Sequence, residues 1–334
     1  MIYALHLLEQ LQQNGLKFTF KGGTSLVLLL EKGNRFSIDI DIISNIEREE
    51  LEAILTKVIE SSRFTGFELE KHRSYKPGVP KAHYTFAYES SLKGKFSGTV
   101  LLDVLIGDSA YPEITEKTIK AKWVETDDET NVVVPTIDAI TGDKLTAFAP
   151  NTIGIPYEKS GQSASMEICK QLFDLSKLFE QISNIETVSE SFQTFAKQET
   201  EYRKESHPGL TPEQVLQDTI DTCLIITKRE RGDKEEKAKF TELQRGIIAF
   251  GTGYLMSGNF RIDDAIVAAA KVAHLAARLL KNDLLPIKHY NGEDIKALNI
   301  ENPDWNFLNR LKRQPDKSSF YYWYQTVQLL TEGE

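Results

Sequence analysis

The stretch Lys21–Ile43, KGGTSLVLLLEKGNRFSIDIDII, carries a Gly-Gly turn, a short apolar segment and an Asp-x-Asp strand in immediate succession. In Ser37-Ile38-Asp39-Ile40-Asp41-Ile42 the strict alternation reads as a strand. It puts Asp39 and Asp41 on one face and Ile38, Ile40 and Ile42 on the other. Two carboxylates facing one space repel unless a cation lies between them, and hard divalent cations favour carboxylate oxygens. Mg2+ is the natural guest. The Gly22-Gly23 turn beside the pair suits the close approach of a metal-bound phosphate.

Upstream, Ile2, Leu5, Leu8 and Leu11 recur at helical spacing and Asn14-Gly15 stops the helix. Leu16, Phe18 and Phe20 alternate with polar residues as a short strand running into the glycines. Thr24 or Ser25 is placed to cap a helix through Leu30, and Lys32-Gly33-Asn34 turns the chain back into the Asp-x-Asp strand. Downstream, an apolar stripe predicts a helix over residues 47–61, and strands are predicted over 64–72, 82–88 and 98–106, with a loop at Lys76–Pro80.

The last strand, Thr99-Val100-Leu101-Leu102-Asp103-Val104-Leu105-Ile106, is a near-continuous apolar run of the kind found in a central strand, broken by Asp103. An ionised carboxylate there calls for a partner or a metal. With Asp39 and Asp41 it reads as the third ligand of a site for two Mg2+ ions about 4 Å apart. The competing reading is a carboxylate that caps a loop or pairs with a lysine.

Short extended segments follow around Lys122-Trp123 and Val132–Val134, and Pro135-Thr136 opens a helix predicted over residues 137–148. Lys144 on that helix either reaches inward or stays exposed. Residues 149–161, with Pro150, Gly154, Pro156 and Gly161, read as a loop and a domain boundary. Helices are predicted over 164–182, 186–206, 212–229, 236–256, 262–281, 304–313 and 318–330, with Pro212 in a first turn. The expected class is α/β (α+β): a mixed-sheet domain over residues 1–150, flanked by helices, and a helical domain over 151–334 that closes one side of a cleft.

A net charge of −9 argues against a broad basic surface that coats nucleic acid and leaves room for a confined contact. Cys169 and Cys223 lie in apolar helical surroundings without metal-ligand spacing and read as reduced core residues, which fits a cytoplasmic setting. No signal-peptide pattern opens the chain, and Leu26–Leu30 falls far short of the ~18 apolar residues of a membrane span, so no membrane partner is expected. The six histidines show no zinc spacing and read as structural or surface residues.

These residues resemble the AbiEii/AbiGii toxin family of the polymerase-β-like nucleotidyltransferases. Lys21-Gly22-Gly23-Thr24-Ser25-Leu26 with Arg35-Phe36-Ser37-Ile38-Asp39-Ile40-Asp41 looks like that family's first motif, and Asp103 like its third carboxylate. Val134-Pro135-Thr136 through Lys144-Leu145-Thr146-Ala147 resembles its lysine-bearing helix, and Asp174 in Lys170-Gln171-Leu172-Phe173-Asp174-Leu175 its later aspartate motif. Gln171 departs from the acidic residue of many relatives.

The resemblance implies a nucleotidyltransferase fold and an enzyme that moves NMP from an NTP with two Mg2+ ions. Asp39, Asp41 and Asp103 would bind metal. Gly22, Gly23, Thr24, Ser25, Arg35, Ser37 and Lys144 would contact the nucleotide. Arg35 reads equally as a phosphate clamp or a structural ion-pair partner, and Asp174 as a surface charge or as the partner that positions Lys144. Implied with the family are a toxin role in a toxin-antitoxin or phage-defence system, an antitoxin encoded nearby, and tRNA as acceptor in some relatives. The alternatives are transfer to a small aminoglycoside-like acceptor and a silent nucleotide-binding module.

Overall fold

A seven-stranded mixed sheet occupies the first part of the chain and helices the second. In the computed structural model, residues 1–30, 35–74, 80–90, 97–121 and 129–331 are described. The expected turn at Lys32-Gly33-Asn34, most of the Lys76–Pro80 loop and the Lys122-Trp123 pair lie outside them. In chain order the elements of the first part are α1 (Ile2–Gln13), β1 (Thr19–Lys21), α2 (Gly22–Leu29), β2 (Ile40–Ser44), α3 (Arg48–Ser61), β3 (Phe64–Leu69), α4 (Lys71–Ser74), β4 (Lys81–Glu89), β5 (Ser97–Ile106), β6 (Ile114–Thr118) and β7 (Asn131–Pro135).

The sheet runs β3-β4-β5-β2-β1-β7-β6. β2 pairs with β5 in parallel and with β1 antiparallel, and β4 pairs antiparallel with β5. Alternation then sorts the two faces. Phe20, Ile40, Ile42, Ala82, Tyr84, Phe86, Val100, Leu102 and Val104 are all buried and share one face through the registers Ile40 to Leu102 and Tyr84 to Leu102. Leu5, Leu8 and Leu11 of α1 and Leu51, Leu55 and Val58 of α3 join the core of this unit. The opposite face carries Lys21, Asp41, Asp103 and His83.

Two expectations shift here. The Asp-x-Asp strand begins at Ile40, not Ser37, so Ile38 is not on a buried strand face but 52% exposed. Residues 36–39 instead run as coil over the start of α2, tied down by Thr24. The helix after the glycines starts at Gly22, so Thr24 and Ser25 lie within its first turn and do not cap it.

The second part contains α5 (Ile137–Ala147), the two-residue strands β8 (Glu158–Lys159) and β9 (Gln162–Ser163), α6 (Ser165–Phe179), α7 (Ile185–Tyr202), α8 (Pro212–Lys228), α9 (Lys234–Gly253), α10 (Ile262–Leu280) and α11 (Ser318–Thr331). Short 3-10 turns lie at Arg229–Arg231 and Asn306–Arg313. Thr211 caps α8 in a capping box with Gln214, and Pro212 sits in the first turn. The alanine-rich α10 is buried along most of its length and packs against α6, α8 and α11. Cys169 and Cys223 are free thiols in this core, and burial pushes both well above the ordinary thiol range, which keeps them protonated.

The chain divides into two compact units, Met1–Thr136 and Ile137–Glu334, whereas the loop at 149–161 suggested a division at residue 150. Two observations explain why α5 and that loop go with the helices. A Cβ at Gly142 would collide with the Val188 carbonyl and the Phe192 amide, so α5 and α7 touch backbone to backbone. Asp218 of α8 accepts from the Asn151 amide at 2.8 Å and the Thr152 hydroxyl at 2.9 Å, pinning the loop inside the unit. Among the described residues no helix is long and apolar enough to cross a membrane.

Candidate functional site

Cross-strand register assembles the polar face of the first unit. Lys21 stands opposite Asp41, Asp41 opposite Asp103, and Asp103 opposite His83. Four adjacent strands, β1, β2, β5 and β4, therefore place one basic residue, two carboxylates and an imidazole in a row, at the roughly 4.8 Å spacing of neighbouring strands. Asp41 is half-buried, and the Asp103 side chain is 28% exposed. The row meets water on the face that the core does not use.

Asp103 is not buried on both faces as its apolar flanks suggested, because Val100, Leu102 and Val104 turn inward while the odd positions turn out. Its Oδ1 lies 2.6 Å from Nδ1 of His83. An ionised carboxylate only accepts, so Nδ1 carries the proton and donates. The expected alternative partner was a lysine; the observed one is a histidine, a residue the spacing argument had set aside.

The glycine turn serves Asp41 and Arg35. Gly22 has φ +74°, and a Cβ there would occupy the Asp41 carboxylate; a Cβ at Gly23 would occupy the Arg35 guanidinium. Gly22 is the first residue of α2, so the Asp41 carboxylate lies at the positive end of that helix. Arg35 is buried and donates to the Phe36 carbonyl at 3.1 Å. Thr24 and Ser25 are fully buried. Thr24 Oγ1 donates to the Asp39 carbonyl at 2.5 Å and lies 2.7 Å from Ser37 Oγ, while Ser25 Oγ donates to the Gly22 carbonyl at 2.9 Å. These hydroxyls hold the turn against the 37–39 segment. Asp39 itself is exposed.

Lys144 and Asp174 belong to the second unit. Lys144 is 6% exposed, and its Nζ donates to Asp174 Oδ2 at 2.8 Å and to Gln171 Oε1 at 3.0 Å. Asp174 is 2% exposed and is the ion-pair partner of Lys144. Gln171, the departure from an acidic residue, supplies a neutral acceptor to the same ammonium.

Carboxylate oxygens are the donors a divalent cation takes, and the glycine turn leaves room for one of them, so the first unit's donor set fits Mg2+ in kind. Among the described residues no three His, Cys, Asp or Glu side chains close on one point.

Residues 6–251 match the family model described as nucleotidyl transferase AbiEii toxin, type IV toxin-antitoxin system. The chain belongs to the AbiEii family. That membership bears out the resemblance, and the enzyme class is nucleotidyltransferase. Two solved structures are similar in shape. A candidate nucleotidyltransferase from H. pylori shares 14% identity at a TM-score of 0.44, covering 84% of this chain and 96% of its own. MenT4, a nucleotidyltransferase toxin from Mycobacterium tuberculosis H37Rv, shares 15% at a TM-score of 0.45, covering 83% of this chain and 91% of its own. No curated protein matches in sequence.

Sequence reasoning about this AbiEii member missed Lys21 and His83 as parts of the row. A signal for His83 existed. In residues 82–88 the apolar Ala82, Tyr84 and Phe86 alternate with His83 and Thr85, which puts the imidazole on the face opposite the core.

Proposed function

We propose that this AbiEii member is an Mg2+-dependent toxin that transfers a nucleoside monophosphate from an NTP to tRNA in the cytoplasm. The observation that carries the reading is the Lys21–Asp41–Asp103 row on the open face of the sheet. Asp39, Asp41 and Asp103 would hold the metal, which would supply charge neutralisation on the phosphates and a lowered barrier to deprotonating the acceptor. The amides at the start of α2, aligned by Gly22 and Gly23, favour a phosphate at the helix's positive end. Asp103 takes the proton of the acceptor hydroxyl. The acceptor's oxygen then bonds to the α-phosphorus, the bond from that phosphorus to the bridging oxygen breaks, and pyrophosphate leaves with the electron pair.

The tRNA acceptor and a cognate antitoxin encoded nearby are proposed from the family alone. A net charge of −9 restricts any RNA contact to a local patch. The test incubates the purified chain and Mg2+ with each labelled NTP, against total tRNA and, separately, against small polyols. Label on RNA supports the reading, label on polyols overturns the acceptor, and absence of pyrophosphate release overturns the transfer. Asp41→Asn should abolish label incorporation. It should cost only the roughly 0.3–1 kcal/mol of a charge at a helix terminus.

A further inference from the structure

His83 is held more firmly than a surface histidine needs to be. Its amide donates to Ser74 Oγ at 2.9 Å, and its carbonyl accepts from the Glu70 amide at 2.8 Å. Ser74, itself 4% exposed, donates onward to the Glu70 carbonyl at 2.9 Å. The single helical turn α4 between β3 and β4 thus clamps the backbone of His83 from the edge side. The imidazole is 14% exposed and spends its Nδ1 on Asp103. Register, clamp and hydrogen bond together fix Oδ1 of the Asp103 carboxylate against His83.

We propose that His83 is a positioning residue for nucleotidyl transfer: its Nδ1–H anchors Oδ1 of Asp103 and so sets the orientation in which that carboxylate meets the metal and the acceptor hydroxyl. The proposal rests on the transfer reading above and adds to it a residue on a neighbouring strand. Outer partners of ligating carboxylates fix their orientation, and losing one costs roughly 10- to 100-fold in metal affinity or rate. No proton moves through His83 in this scheme.

The test compares the full-length wild type with His83→Leu, which removes the donor, and His83→Asn, whose amide nitrogen stands about where Nδ1 stood. Pyrophosphate release should show kcat down roughly 10- to 100-fold for His83→Leu. KM for NTP should stay within about threefold, the pattern of a group that acts on the transition state. His83→Asn should recover most of the rate, with all three proteins melting within a few degrees of one another. Mn2+ titration, read by the electron spin resonance of the free ion, should weaken about tenfold for His83→Leu and recover for His83→Asn.

Wild-type kcat and Mn2+ affinity in His83→Leu would overturn the proposal. So would equal losses in both variants, which would mark the ring as packing, or a loss that follows the melting temperature. If the wild type releases no pyrophosphate, the transfer reading and this role in it both fail. Transfer by the wild type with an indifferent His83→Leu rejects His83 alone.

Discussion

Asp41 and Asp103 lie beside each other on adjacent strands with part of their surface in water, whereas Lys144 and Asp174 are 6% and 2% exposed and joined at 2.8 Å. The first arrangement brings like charges together and leaves them accessible. The second shuts opposite charges away. Lys21 and His83 flank the two carboxylates on the adjoining strands, and a bound cation would add a partner between them. A buried ion pair has already met its desolvation cost through its own partner, so it answers to loss of that partner more than to a ligand. The two charge clusters should therefore fail differently when cut.

The largest stability effect should come from the buried pair. Asp174→Ala leaves an ammonium inside the second unit with, among the described residues, only the Gln171 carbonyl, a change that costs about 3–5 kcal/mol. Melting should drop by roughly 10 °C. The double variant Lys144→Met with Asp174→Leu replaces the pair by apolar side chains of similar size and should regain most of that loss. Transfer is expected to be lost in the double variant as well, if Lys144 contacts the nucleotide as the resemblance to the family's lysine-bearing helix implies. Recovery of both stability and transfer would reduce the pair to a stabiliser and erase half of the contrast. Asp41→Asn is the opposite cut, with transfer lost and melting kept.

Gly22 probes the seam between fold and site. At φ +74° a side chain strains the backbone by about 1–2 kcal/mol, and its Cβ would displace the Asp41 carboxylate. Gly22→Ala should thus lower melting modestly and transfer severely, measured on the same preparation. Equal and small losses in both would mean that Asp41 shifts without consequence, which the open row does not allow.

How much of this was readable beforehand follows from the range of each signal. Gly22, Gly23, Asp39 and Asp41 stand out because their chemistry is contiguous, and Asp103 because a charge in an apolar strand is locally anomalous. The strand start was misplaced because alternation continues through Ser37–Asp39, while the ties to Thr24 that hold this segment as coil are not local. His83 was overlooked for a related reason: its partner is 20 positions away, and pairing register is set by the whole sheet. Pro and Gly in residues 149–161 signal a loop, whereas the tie from Asp218, far downstream, that holds this loop to the helices has no local signal.

His274 supplies the smallest and most specific test of the rule that the helical unit excludes uncompensated charge. It is 6% exposed on α10, packs near Phe179 and Tyr322, and has no hydrogen-bond partner for Nδ1 among the described residues. Burial pushes its pKa down to about 3; the Arg278 charge and His289 add to the depression and Asp283 opposes it. The folded chain therefore keeps the ring neutral while the unfolded chain protonates it below about pH 6.5. Above that pH the residue makes no difference between the two states. As pH falls from about 6.5 toward 3, the unfolded state gains the extra proton and the fold loses about 1.4 kcal/mol per pH unit from this group. His274→Phe, which keeps an aromatic ring and removes the titration, should flatten the acid limb. The variant should lose about 2 kcal/mol less than wild type between about pH 7 and pH 5 by denaturant melts. An unchanged slope would show that water or a rearrangement reaches the ring, and that the unit's exclusion of charge holds for Lys144 and Asp174 only because they have each other.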